Sequence, residues 1–198
     1  MIRSVLAALA LAVPSAALAH VQEGAAEGLA DGLLHPLLGP DHMVAMVAVG
    51  LWGAQLGQPL LVALPVAFPM MMTVGALWGL SGLPLPGAEI GVALSALALG
   101  LFVMRGWRAP VAAAVALVAV FAIFHGYAHG VALPAAVNPL AYGVGFVTTT
   151  GLLHGLGIAI GEGARAVARG GGLVRACGAG VAAVGALFAG SAVVAAWG

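Results

Sequence analysis

His35, Asp41 and His42 stand at the head of a run that stays apolar to Trp52, with Pro36 and Pro40 set among them. Two imidazoles and a carboxylate make a donor set suited to a divalent transition metal. His125 and His129 are four residues apart, which on a helix puts them on one face, one turn from each other. That spacing lets two imidazoles reach one ion, as in helical zinc sites. His154 follows among Gly151, Gly155 and Gly157, with Thr148, Thr149 and Thr150 before it and Glu162 after it. Ionisable groups inside apolar stretches are costly and mark ion or substrate paths. A lone intramembrane His is commonly a packing residue, but five groups at one depth (His35, Asp41, His42, His125 and His129) point to a shared site. Met43, Met46 and Met70 to Met72 offer soft sulfur for Cu(I), yet Met more often fills cores. A carboxylate beside His favours Ni2+, Co2+ or Zn2+ over Cu(I).

These residues need helices in a bilayer to position them. The chain is 63% hydrophobic and 6% charged, against roughly 25% charged in soluble domains, and its mean hydropathy is +1.17. It reads as an integral membrane protein. Six Lys+Arg balance six acids, and there is no Lys, so nothing suggests a nucleic-acid partner. One cysteine, Cys177, excludes an intrachain disulfide and a Cys-only metal site. The 31 glycines suit close helix packing.

Residues 1–19 read as a cleaved signal peptide: Arg3, an apolar core from Val5 to Val13, then Ala17-Leu18-Ala19. Cleavage would make His20 the new N-terminus, where α-amine and imidazole can chelate a metal together. Residues 20–198 then read as one transport domain. Six apolar segments are expected at about 33–54, 59–80, 88–104, 110–133, 138–161 and 173–197, each near the ~20 residues that cross a bilayer. The fold class is all-α: a polytopic membrane bundle of six transmembrane helices. Arg105, Arg108, Arg165, Arg169 and Arg175 all fall in or beside the loops after the third and fifth segments, so the positive-inside rule puts the mature N-terminus outside. Glu23, Glu27 and Asp31 in the outer segment could attract cations. The His-bearing first and fourth segments hold matching places, as in a three-plus-three inverted repeat.

In a straight helix, His35 and His42 would share a face but lie ~10.5 Å apart along the axis, too far for one ion. Pro36 and Pro40 predict a break there. Either the break folds His35 toward Asp41 and His42, or His35 is an outer way-station.

His35-Pro-x-x-Gly39-x-Asp41-His42, with Met46 and Val49-Gly50 after it, resembles the signature of the HupE/UreJ proteins, membrane nickel permeases associated with hydrogenase and urease. His125-Gly126-Tyr127-Ala128-His129-Gly130 resembles that family's second His motif, and Gly151-Leu152-Leu153-His154-Gly155 its third. The resemblance implies nickel uptake by a secondary carrier in the bacterial cytoplasmic (inner) membrane, not an enzyme. It implies metal-path roles for His35, Asp41, His42, His125 and His129, and for His20 and His154. Ni2+ is then the transported substrate and no cofactor is held permanently. The partners are the divalent ion, Co2+ included, and the lipid bilayer, with self-association left open. No nucleotide-binding loop is present. The rival readings are a carrier of Co2+ or another divalent metal, a haem-binding membrane cytochrome, and a membrane-embedded metal enzyme.

Overall fold

A computed structural model describes residues 26–133, 137–167 and 170–197. The expected signal peptide (1–19), His20, Glu23 and Arg169 lie outside the described residues. Among those described, every regular element is an α-helix: α1 (Ala26–Leu38), α2 (Pro40–Leu56), α3 (Leu60–Leu80), α4 (Ala88–Arg105), α5 (Val111–Ala132), α6 (Pro139–Arg165) and α7 (Gly170–Trp197). Helices α3 to α7 are each long and apolar enough to cross a bilayer. They match the last five expected segments to within a few residues.

The first expected segment is not one straight helix. α1 and α2 meet at Gly39 with a bend of 84°. Pro40 has no N–H to give the carbonyl four residues back, and its ring disfavours a helical Gly39. Gly39 is accordingly extended, with φ −102° and ψ 103°. α2 restarts with Pro40 in its first turn, where a missing N–H is harmless. Asp41 sits in the same turn, where the helix dipole favours a negative charge. Thr149 on α6 donates to the Leu33 carbonyl at 2.8 Å and pins the end of α1. The remaining turns are short. Gly57, Gly82, Gly87 and Gly106 have positive φ, and Asn138 caps α6 by accepting from the Leu140 and Ala141 amides at 3.0 and 3.1 Å.

The most extensive packing pairs α3 with α5, α4 with α7 and α2 with α6. Glycine makes all three seams possible; on α4·α7, a Cβ on Gly100 would strike the Ala182 backbone and one on Gly178 the Met104 backbone. A Cβ on Gly126 would strike the Met72 carbonyl of α3, and one on Gly75 would strike the Ile123 carbonyl of α5. On the α2–α6 seam, Gly50 faces the His154 carbonyl and Gly157 faces the Val47 carbonyl. Exchanging the first three expected segments with the last three turns α3·α5 into α6·α2 and returns α4·α7 to itself. The packing therefore follows the inverted-repeat expectation. The exchange is incomplete, because α2 also packs on α3 and α4, whereas α5 has no comparable seam with α6 or α7 among the described residues.

Polarity is inverted relative to a soluble protein. Leu77, Leu140, Leu152, Leu187 and Val194 are exposed, while Ser95, His125, His129, Thr149, Thr150 and His154 are buried. Aliphatic surface meets hydrocarbon at no cost, whereas buried polar groups need a reason. Arg105, Arg108, Arg165 and Arg175 collect at one end. There Arg165 donates to the Ala54 carbonyl at the close of α2 and pairs with Glu162 at 2.9 Å. The Trp52 indole donates to the Trp107 carbonyl at 3.1 Å, and Gln55 to the Val103 carbonyl at 3.1 Å. His35, His42, His125 and His129 lie toward the opposite end.

Candidate metal centre

The 84° bend leaves α1 packed on α6 and brings the side chains of His35 and His42 to the imidazoles of α5. His42 is the hub. Its ring centroid lies 4.8 Å from that of His125 and 4.6 Å from that of His129. His35, carried on the far side of the break, reaches His129 at 4.9 Å. The break thus folds His35 back to the cluster through His129. His125 and His129 share a face of α5 as expected, and Gly126 and Gly130, one residue beyond each, let that helix lie flush on α3.

Hydrogen bonds fix two of the rings. Asp41 Oδ1 accepts from the His42 backbone amide at 2.9 Å and from His42 Nδ1 at 3.0 Å. As placed, Asp41 orients His42 and leaves His42 Nε2 buried without a partner. His125 Nε2 lies 2.7 Å from Ser95 Oγ, and His125 Nδ1 has no partner. His129 Nε2 and the Tyr142 hydroxyl are also buried and unpaired. Such atoms are uncommon and call for an explanation. Among the described residues, no three Asp, Glu, His or Cys groups gather about one point as a ready metal site. The imidazoles pack instead on one another and on aromatic neighbours, with Phe146 4.3 Å from His129 and Tyr142 5.7 Å from His35 by ring centroid.

A cavity of about 440 Å3 opens beside the cluster, bordered by His35, Asp41, His42, His129 and Glu89. An apolar groove of about 670 Å3 between α3, α5 and α6 also reaches His129, from the side that faces lipid.

His154 stands apart from the cluster. Phe68 of α3 lies between, 5.4 Å from His125 and 5.3 Å from His154. Both nitrogens of His154 and Thr150 Oγ1 are buried without partners. The glycines beside His154 do not all serve close approach. A Cβ on Gly157 would strike α2, but one on Gly151 or Gly155 would meet nothing within 4 Å. Glu162 pairs with Arg165 at 2.9 Å. Met46 and Met72 are buried in the apolar core, and Met70 faces outward, as core and lipid-facing residues do.

Sequence reasoning passed over Ser95, Phe68, Phe146 and Tyr142. Ser95 carried a readable signal, being the only polar residue between Glu89 and Arg105 on an otherwise apolar helix. The aromatic residues carried none, since apolar side chains fill every helix.

Broken and intact membrane helices around an imidazole-rich polar centre define a multi-pass helical membrane protein. The chain belongs to the HupE/UreJ family, whose model, described as HupE / UreJ protein, matches residues 7–188. Protein HupE of Rhizobium leguminosarum bv. viciae is 42% identical over 151 residues, covering 76% of this chain and 78% of the relative. No solved structure matches the chain.

Proposed function

We propose that this protein is a secondary permease that carries Ni2+ inward across the cytoplasmic membrane to supply hydrogenase or urease, and that it catalyses no reaction. One observation carries the reading: His42 Nε2, His125 Nδ1 and His129 Nε2 are buried and unpaired on rings that touch one another. Neutral imidazole nitrogens are good donors to Ni2+, and a buried lone pair without a partner is a donor in waiting. The ion arrives from outside through the cavity bordered by Glu89. Binding turns the rings from packing on one another to facing a common ion, with His35, His42 and His129 on the cavity side and His125 behind. His154, beyond Phe68, is a second station on the way inward. His20, on a mature N-terminus outside the membrane, is a capture group at the mouth.

A haem reading fits poorly, because ring centroids 4.6 to 4.9 Å apart leave no slot for a macrocycle between the imidazoles. A Co2+ carrier would use the same donors. The test is uptake of radioactive nickel by cells expressing the protein, with unlabelled Co2+, Zn2+ and Cu2+ as competitors. Uptake saturates and is blocked most strongly by unlabelled Ni2+. Uptake equal to that of cells lacking the protein rejects the reading.

A further inference from the structure

Ser95 is completely buried in α4. Its Oγ lies 2.6 Å from the Val92 carbonyl oxygen and 2.7 Å from His125 Nε2. A hydroxyl owns one hydrogen, and a carbonyl oxygen owns none. The short contact with Val92 therefore uses the hydrogen of Ser95. Toward His125 the hydroxyl has only a lone pair to offer, so Nε2 must bring the proton. A neutral imidazole carries a hydrogen on one nitrogen and a lone pair on the other. With Nε2 protonated, Nδ1 of His125 holds the lone pair. That nitrogen is buried and unpaired, on a ring that meets His42 edge to face at 4.8 Å between centroids.

We infer that Ser95 is a positioning residue for the transported metal: it holds His125 as the Nε2–H tautomer and keeps the Nδ1 lone pair free for the ion. The inference rests on the reading of the cluster as a nickel site. It gives His125 the same arrangement that Asp41 gives His42, through the opposite ring nitrogen. In both cases one nitrogen is committed to a protein oxygen, and the other is left bare. Hydrogen-bond partners of this kind orient metal-binding imidazoles, and their loss commonly weakens metal binding 10- to 100-fold. The local sequence explains why a serine can do this inside an apolar helix. Bonding back to the carbonyl three residues earlier satisfies its donor and fixes its oxygen.

The test uses the purified full-length protein, with nickel affinity measured by equilibrium dialysis and half-saturation of uptake measured in cells. Ser95→Ala raises both constants about 10- to 100-fold with the maximal uptake rate unchanged. Ser95→Cys, which keeps the size but offers a poor acceptor, behaves like Ser95→Ala. Ser95→Thr, which keeps the hydroxyl, stays close to the parent protein. Where Ser95→Ala does not insert, Ser95→Cys is read in its place. A serine that only fills space gives the opposite order, with Cys tolerated. Parent-like affinity in Ser95→Cys or Ser95→Ala, or a Ser95→Thr variant as weak as Ser95→Ala, overturns the inference. A parent protein that binds no Ni2+, or binds it as well after His42→Ala, rejects the underlying nickel site instead.

Discussion

At the scale of single residues, the two members of the Asp41–His42 pair have different tasks. Sequence places both as ligands, because an adjacent carboxylate and imidazole are both good metal donors. The hydrogen bonds show one Asp41 oxygen serving the His42 amide and ring at once, at 2.9 and 3.0 Å. His42 is in contact with two further imidazoles and keeps a bare Nε2. The two substitutions are therefore expected to fail differently. His42→Ala removes the hub and abolishes nickel uptake. Asp41→Asn keeps an oxygen that accepts from Nδ1, so uptake persists with a half-saturating concentration raised about tenfold, the low end for lost orienting contacts. The measurement is initial uptake against nickel concentration, in membranes matched for protein content. Equal abolition by both variants would make Asp41 a direct ligand. The cluster's membership was legible because His and Asp are conspicuous in apolar runs. The division of labour within it was not, since it depends on which ring nitrogen faces which oxygen.

At the scale of elements, the break at Gly39 and the flush seams between helices set where the rings point. The break was readable, because Pro36 and Pro40 act through backbone chemistry that any helix must obey. The facing of the unbroken helices was hidden. In a soluble helix, a polar face marks the outside. Here lipid is as apolar as the interior, so the pattern of Leu, Val and Ala does not tell inward from outward. Glycine is the surviving signal, and it is selective. Gly126 abuts the α3 backbone, while Gly151 has open space around it. Gly126→Ala forces α5 off α3 and displaces His125 beside it, at a cost of about 1 to 3 kcal/mol for overpacking. Gly151→Ala removes a flexible residue from a helix with nothing to strike, and is neutral or mildly stabilising by up to about 1 kcal/mol. Thermal unfolding in detergent, paired with nickel uptake, separates the two. A similar midpoint and similar uptake in both variants would mean that the α3–α5 seam does not hold the site.

At the scale of the whole molecule, the two ends of the bundle differ in charge. Arg105, Arg108, Arg165 and Arg175 share the end where α2, α4 and α6 finish, while the cavity with Glu89 and the histidine cluster lies toward the other. The arginine end is tied by side chain to backbone, through Arg165 to Ala54 and Gln55 to Val103, so it forms a floor under the bundle. This division was legible from sequence, because loop arginines report orientation without any knowledge of packing. In the proposed orientation the arginines face the cytoplasm and the cavity opens outside, the direction an importer needs. Cys177 is the sole native thiol, and Cys177→Ala clears the background for labelling. In that background, Ser81→Cys probes the loop between α3 and α4 at the cavity end, and Ala166→Cys probes the close of α6 at the arginine end. Both positions are exposed. A membrane-impermeant maleimide added to intact cells labels Ser81→Cys and spares Ala166→Cys until the membrane is permeabilised. The reverse pattern would turn the cavity toward the cytoplasm, and the same donors would then serve export.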